Sequence, residues 1–560
     1  MGTLGRRALV LLVACFSMIV IAACGGDDDK SSSSGTGGGG KEGGSITISE
    51  TSQPDYLDPA LSYTVNGWEP LSTVYTGLVA YKRAEGQEGS TLIPGLATEL
   101  PKVSSDGTTY ELTLRDGLKY SDGTPVKASD FERTIQRVLN LESGGSAFYL
   151  GIKGADAYVK NGKAEADIPG IETDDAAGTI TITLNEPDGT FSNVLAMPFG
   201  ALVPGDTPFK NLTRNPPPGV GQFKITESVP NRQFVLEKNA NFPDLGPDNP
   251  PAHLDKITAK IIKSAQRQAQ DVISGKLDYM QDPPPADIKP EVKAKYSDRY
   301  EEITTASTYY FFMNTRVAPF DNPKVREAVN YGVDKPGLAR IFAGEVAPGC
   351  SFLPPGMPGF DEALDVDNCP WGNPNEPPDL EKARALIKEA GADGMDVTVY
   401  GNNDDPTDKV TEAYADMLTK MGLNAKPKIL DGGVYFQTIG NQKTKAQTGF
   451  SNWFQDFPHP KNFMFLVDGK SIQETNNQNF GNVDDPEITK GIAELTREPE
   501  LTDEVTDRWK DLNNKLVERA WIVPYGHRKL ATFVSERMDF ENCTRFHPVW
   551  NNDYTSFCLK

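Results

Sequence analysis

Four histidines in a chain of 560 residues leave little room for multi-histidine metal chemistry. His253, His459, His527 and His547 sit beside proline or among charges, and none stands with an obvious nucleophile. The sequence contains no HExxH, no GxSxG elbow and no GxxxxGK[ST] phosphate loop. Gly219-Val220-Gly221 lacks the third glycine of a dinucleotide turn and opens no helix. The acidic run of Asp361, Glu362, Asp365 and Asp367 lacks the glycine and terminal glutamate of a calcium loop, and reads as a solvated loop. These residues point to a non-enzyme with no cofactor and no metal. A secreted hydrolase stays as a distant alternative, because paired carboxylates are set by distance in space and not by spacing along the chain.

Cysteine chemistry says more. Arg6 and Arg7 precede an apolar run from Ala8 to Ala23, interrupted only by Ser17 and too short for a comfortable span of about 20 residues, so 1–23 reads as an export signal. The run ends Ile21-Ala22-Ala23-Cys24, which resembles the bacterial lipoprotein box and makes Cys24 the expected lipid attachment point. Residues 24–45, nearly all Gly, Ser, Asp and Lys, read as a flexible tether. The protein is therefore expected at the outer face of a bacterial cell membrane, held by lipid. Cys15 leaves with the signal. Cys350, Cys369, Cys543 and Cys558 remain, an even number on an exported chain. They allow three pairings, of which proximity favours Cys350 with Cys369 and Cys543 with Cys558, each closing a loop worth about 3 kcal/mol.

The net charge of −22 grows more negative by two once Arg6 and Arg7 are removed. That argues against a duplex-binding protein, whose affinity comes from cations replaced at phosphates, and against polybasic membrane attachment.

The elements that must position any site are well patterned. Tyr110, Leu112 and Leu114 alternate with polar residues, as do Ile180, Ile182 and Leu184, and Phe234 with Leu236; each set predicts a strand with one buried face. Ser129 and Glu132 have the spacing of a capping box ahead of Phe131, Ile135, Val138 and Leu139. Helical spacing recurs from Val325 to Val333, from Leu380 to Gly391, from Val410 to Gly422 and from Val505 to Val517, with a strand over Val397–Tyr400. The fold class is α/β. Pro- and Asp-rich seams lie at 215–221, 244–251, 282–285 and 350–378.

Several strings, in order, resemble the solute-binding proteins of bacterial peptide/nickel-type ABC importers, the oligopeptide- and dipeptide-binding family. They are Leu57-Asp58-Pro59-Ala60, Val74-Tyr75-Thr76-Gly77-Leu78, Pro94-Gly95-Leu96-Ala97 and the block from Leu114 to Pro125 with Ser129-Asp130-Phe131. Gly219-Val220-Gly221-Gln222-Phe223, Asn239-Ala240-Asn241-Phe242, Gly275-Lys276-Leu277-Asp278, Phe312-Met313-Asn314-Thr315, Pro319-Phe320-Asp321 and Val325-Arg326-Glu327-Ala328-Val329 continue the series. The resemblance covers roughly 45–538. It implies a two-lobed periplasmic-binding-protein-like fold with a hinge between lobes and an extra α/β domain inserted in the first. The first lobe would comprise 46–85, 216–308 and 521–560, the inserted domain 86–215, and the second lobe 309–520. It also implies a monomer that captures a ligand by hinge closure and hands it to ABC permease subunits in the membrane, with no nucleic acid among its partners.

Trp453-Phe454-Gln455-Asp456-Phe457-Pro458-His459-Pro460 sits where the family places its ligand-reading segment. The resemblance implies that Asp456, three residues after Trp453, takes the α-ammonium of a short peptide. An enclosed ammonium loses its hydration and needs a charged acceptor. Trp453, Tyr310, Asn314 and Tyr435 are the further expected ligand contacts, with Tyr309, Tyr63 and Trp68 as additional candidates. His459 stands where an acidic residue is common, which leaves a non-peptide solute, such as a glycan or a metal chelate, as the alternative ligand.

Overall fold

Ser307–Met313 is seven consecutive buried residues, rich in Tyr and Phe. A strand apolar on both faces belongs inside a sheet covered on both sides. In the computed structural model, which describes residues 40–161 and 166–560, this strand lies within a 12-stranded sheet. In chain order the strands are Ser45–Glu50 (β1), Phe223–Val229 (β2), Gln233–Lys238 (β3), Lys256–Ile261 (β4), Tyr279–Met280 (β5), Tyr300–Thr304 (β6), Ser307–Met313 (β7), Val346–Pro348 (β8), Asp396–Asn402 (β9), Asn424–Leu430 (β10), Thr448–Phe454 (β11) and Ile522–Val534 (β12). Their order across the sheet is β10-β9-β11-β7-β12-β5-β1-β4-β3-β2, with β6 and β8 also pairing β12. The expected signal 1–23 with Cys15, the expected lipid site Cys24 and the expected tether as far as residue 39 lie outside the described residues.

The sheet carries two lobes because β12 serves both. Ile522 to Gly526 pair with β7, and Lys529 to Phe533 pair with β6. The chain crosses a second time at Thr305-Ala306, between β6 and β7. Each lobe has its own core. One cluster draws only on residues from Tyr309 to Tyr525, around Trp509, Phe311 and Tyr414; another gathers Ile46, Ile48, Leu236, Ile257, Phe557 and Leu559. Ile522, Val523 and Tyr525, at the start of β12, are buried in the same cluster as Tyr309 and Phe311.

A separate four-stranded sheet, Lys102–Val103, Thr109–Thr113, Ile171–Asp174 and Thr179–Thr183, packs under helix α1, Asp130–Asn140. The helix starts where Phe131 predicts, but not through a capping box. The Ser129 backbone N–H and hydroxyl bond Asp175, and Glu132 accepts from the Ile168 N–H. Arg137 on α1 makes a two-pronged pair with Asp58 at 3.1 and 2.8 Å, tying this region to the segment after β1. The expected tether end is already structured: Lys41 N–H donates to Leu559, Gly43 to His253 and Gly44 to Asp255.

Both disulfides, Cys350–Cys369 and Cys543–Cys558, are formed. Asp365 is not solvated. Its carboxylate accepts from the Cys350 and Ser351 N–H groups and lies 2.9 Å from His527 Nε2. No helix among the described residues is long and apolar enough to cross a membrane.

Candidate functional site

β11 ends at Phe454, and the next residue is pinned beside the crossover because the Gln455 N–H donates to the Ala306 carbonyl. Asp456 follows at the carboxyl end of a strand that runs parallel to β9, the side of an α/β sheet where ligands bind. A turn through Pro458 and Pro460 leads into the short helix Lys461–Met464, which brings Asn462 back onto Asp456. The Asp456 N–H donates to Asn462 Oδ1 at 2.8 Å, and Asn462 Nδ2 donates to Asp456 Oδ2 at 2.7 Å. Trp453 Nε1 donates to the same Asn462 Oδ1 at 3.3 Å. Asn462 therefore fixes both expected site residues, a role that nothing in the spacing reveals.

The far wall comes from the first lobe and the inserted region. The Tyr63 hydroxyl donates to Asp456 Oδ2 at 3.1 Å. Its ring stacks on Trp68 at 5.7 Å and meets Phe199 edge-on at 5.4 Å. Phe457 meets Phe148 at 6.2 Å, Gln455 Nε2 donates to the Pro548 carbonyl at 2.6 Å, and Lys461 pairs with Asp188 at 2.7 Å. Asp456 thus sits at the seam, held from both sides.

The residue is 6% exposed, and burial pushes its pKa from the usual range up to about 7, against the two hydrogen bonds, which lower it. Both donors fall on Oδ2; Oδ1 takes none from the described residues. Each partner is neutral, so the arrangement is an anionic acceptor without a countercharge, suited to an ammonium. His459 supplies no charge here. Burial, with the Lys461 charge, drives its pKa down to about 3, and its Nδ1 accepts from the Lys461 N–H while its ring packs edge-on against Trp509.

Three further expected contacts have partners inside the second lobe. The Tyr435 hydroxyl donates to the Phe450 carbonyl at 2.6 Å and lies 3.1 Å from that of Tyr400, which anchors it inside the second lobe. Asn314 donates to the Ala446 carbonyl and accepts from the Arg316 N–H and Asn482, so its amide is spent on a loop. Tyr310 packs edge-on against Phe352 in the same core. Tyr309 is also buried, with its hydroxyl 3.4 Å from Arg528. In each case a strongly apolar stretch takes the side chain inward. Trp453 remains half-buried against Phe465.

The profile of the bacterial extracellular solute-binding proteins, family 5 (middle region), matches residues 91–474. Among curated proteins, the oligopeptide-binding protein of Bacillus subtilis (strain 168) is 27% identical over 485 residues, covering 82% of this chain and 83% of its own. The dipeptide-binding protein of the same organism is 26% identical over 445 residues, covering 76% and 78%. Among solved structures, the clavulanic acid biosynthesis oligopeptide binding protein 2 superposes with a TM-score of 0.83 at 25% identity, covering 94% of this chain and 99% of that one.

Proposed function

Because the chain belongs to the family-5 bacterial extracellular solute-binding proteins, we propose that it captures a short peptide between its lobes and delivers it to an ABC-type permease, with Asp456 taking the peptide's α-ammonium. The observation that carries this reading is the Asp456 carboxylate, enclosed at the seam, bonded only by neutral donors and with Oδ1 open. An ammonium arriving there supplies the missing charge and donors at once. Trp453 lines the same place and covers the peptide's first residue. Main-chain contacts to an extended ligand give affinity without side-chain selectivity, in the manner of strand addition.

Capture needs no covalent step. It needs contacts made only when the lobes meet, and Tyr63–Asp456, Gln455–Pro548 and Lys461–Asp188 are contacts of that kind. Lipid on Cys24 would hold the monomer beside its permease, since several acyl chains anchor stably where one does not.

Isothermal titration of the purified protein with a pool of di- to pentapeptides tests the reading, with wild type compared against Asp456→Ala. Binding in wild type and at least a hundredfold loss in the variant are expected. Equal binding in both would remove Asp456 as the anchor. Recovery by native mass spectrometry of a co-purified ligand without a free amine would contradict the peptide assignment.

A further inference from the structure

Glu50 ends β1 with no exposed surface, yet neither carboxylate oxygen has a hydrogen-bond partner among the described residues. Buried carboxylates are ordinarily paired or held by several donors. Two more unpartnered polar atoms come from the neighbouring strand β5 and the residue after it: the Tyr279 hydroxyl and Gln281 Oε1. The surrounding donors are committed elsewhere. Gln281 Nε2, Asn552 Nδ2 and the Tyr554 hydroxyl all donate to Glu69, and the Thr51 N–H and hydroxyl both donate to Asp282. Acceptors therefore outnumber free donors, with both Glu50 oxygens and Gln281 Oε1 set against the Tyr279 O–H and the Arg528 Nε–H.

The charge follows the same pattern. Burial, then the Glu69 and Asp282 charges, push the Glu50 carboxyl well above its ordinary range, and Tyr279 feels Glu69, Asp282 and Glu50 together. Arg528 on β12, which feels the Asp282 charge, donates through its terminal nitrogens to Glu345 at 3.1 Å and the Tyr309 hydroxyl at 3.4 Å, and its Nε has no partner among the described residues. A metal ion does not suit the place. Among the described residues the one group of three metal-type ligand atoms within 4.8 Å is Asp539 with Cys543 and Cys558, so Glu50, Glu69 and Asp282 do not converge on a point. An occupant must be larger, positive and rich in N–H donors.

The location fits a ligand. β1 and β5 are parallel neighbours, and Glu50, Gln281 and Asp282 all stand at their carboxyl ends. That edge of the first lobe is the counterpart of the edge that carries Asp456 in the second. Glu69 also adjoins Trp68, on which Tyr63 stacks while bonding Asp456.

We propose that Glu50, backed by Glu69 and Asp282, forms a second anionic subsite that takes a guanidinium or ammonium side chain, so that the protein prefers basic peptides. This rests on the peptide reading above and adds a specificity to it. The test compares an alanine tripeptide carrying one arginine, the same peptide carrying citrulline, and agmatine, by isothermal titration against wild type and Glu50→Gln. The expected result is at least tenfold tighter binding of the arginine peptide than of the citrulline peptide in wild type, with the ratio collapsing towards one in the variant. Equal binding of the two peptides to wild type overturns the subsite and leaves peptide capture standing. A ratio preserved in Glu50→Gln overturns it as well. Binding of agmatine alone, lost in the variant, would keep the subsite and overturn the peptide reading; no binding of any probe overturns both. The wild-type ratio does not depend on how the variant folds, and Glu50→Gln removes the ionisable carboxyl without changing shape.

Discussion

Asp456 is enclosed enough to titrate at about 7 when it is the only charge present. An ammonium needs the carboxylate ionised, so below pH 7 each bound peptide must displace a proton. Affinity should fall about tenfold per pH unit as pH drops from 7 towards 5, and Asp456→Asn should bind weakly with no such slope, which titration calorimetry at several pH values reads directly. The same raised pKa acts on the empty protein in the opposite sense. The unfolded carboxylate ionises near 4 and the folded one near 7, so between these values the unfolded state holds fewer protons and stability falls as pH rises. Asp456→Asn should therefore be more stable than wild type at pH 7.5, by a few kcal/mol (about 1.4 kcal/mol for each tenfold change in proton affinity), with the gap closing towards pH 4 in denaturant melts. Glu69 is also held at about 7 by burial, so the comparison must be wild type against variant and not the wild-type curve alone. The segment that carries Asp456 and Trp453 stood out in the sequence through the resemblance around it. Asn462, which holds both, did not: an asparagine after Pro-His-Pro-Lys has no distinguishing pattern, and its role exists only once the turn at Pro458 and Pro460 folds it back.

Among the elements, β12 matters most to the mechanism, because one strand of 13 residues is shared by two lobes. Gly526 lies where it leaves β7 for β8, and a Cβ there would run into the Ala347 carbonyl and Val346. Gly526→Ala should cost about 1–3 kcal/mol and loosen the crossover, seen as a lower melting midpoint and faster amide exchange in β8. Arg137 and Asp58 are both buried, and Asp58→Ala would strand the guanidinium on α1; a loss of about 3–5 kcal/mol is expected in equilibrium unfolding. Periodicity made the strands at Thr109–Thr113 and Thr179–Thr183 and the helix Thr407–Met421, closed by Gly422 in the left-handed region, readable in advance. It failed at β12, because the strand changes partners midway and Gly526-His527-Arg528-Lys529 break its apolar run where it does so. At Tyr310, Asn314 and Tyr435 the resemblance gave a place in the chain but not whether a buried side chain faces core or crevice.

Across the whole molecule, the lobes meet through few polar contacts, of which Lys461–Asp188 is a direct ion pair at 2.7 Å with both side chains more than a quarter exposed. Pairs of this kind contribute on the order of 1 kcal/mol, so Asp188→Ala should speed peptide release roughly fivefold with little effect on capture, measured by stopped-flow displacement. The central claim is that a peptide's amino terminus is read by Asp456 between the lobes. The most direct measurement is the affinity of one tripeptide with a free amino terminus against the same tripeptide N-acetylated, on wild type and Asp456→Asn. A loss of about a hundredfold on acetylation in wild type, with little discrimination in the variant, is the expected result. Equal binding of the free and acetylated peptides to wild type would contradict it.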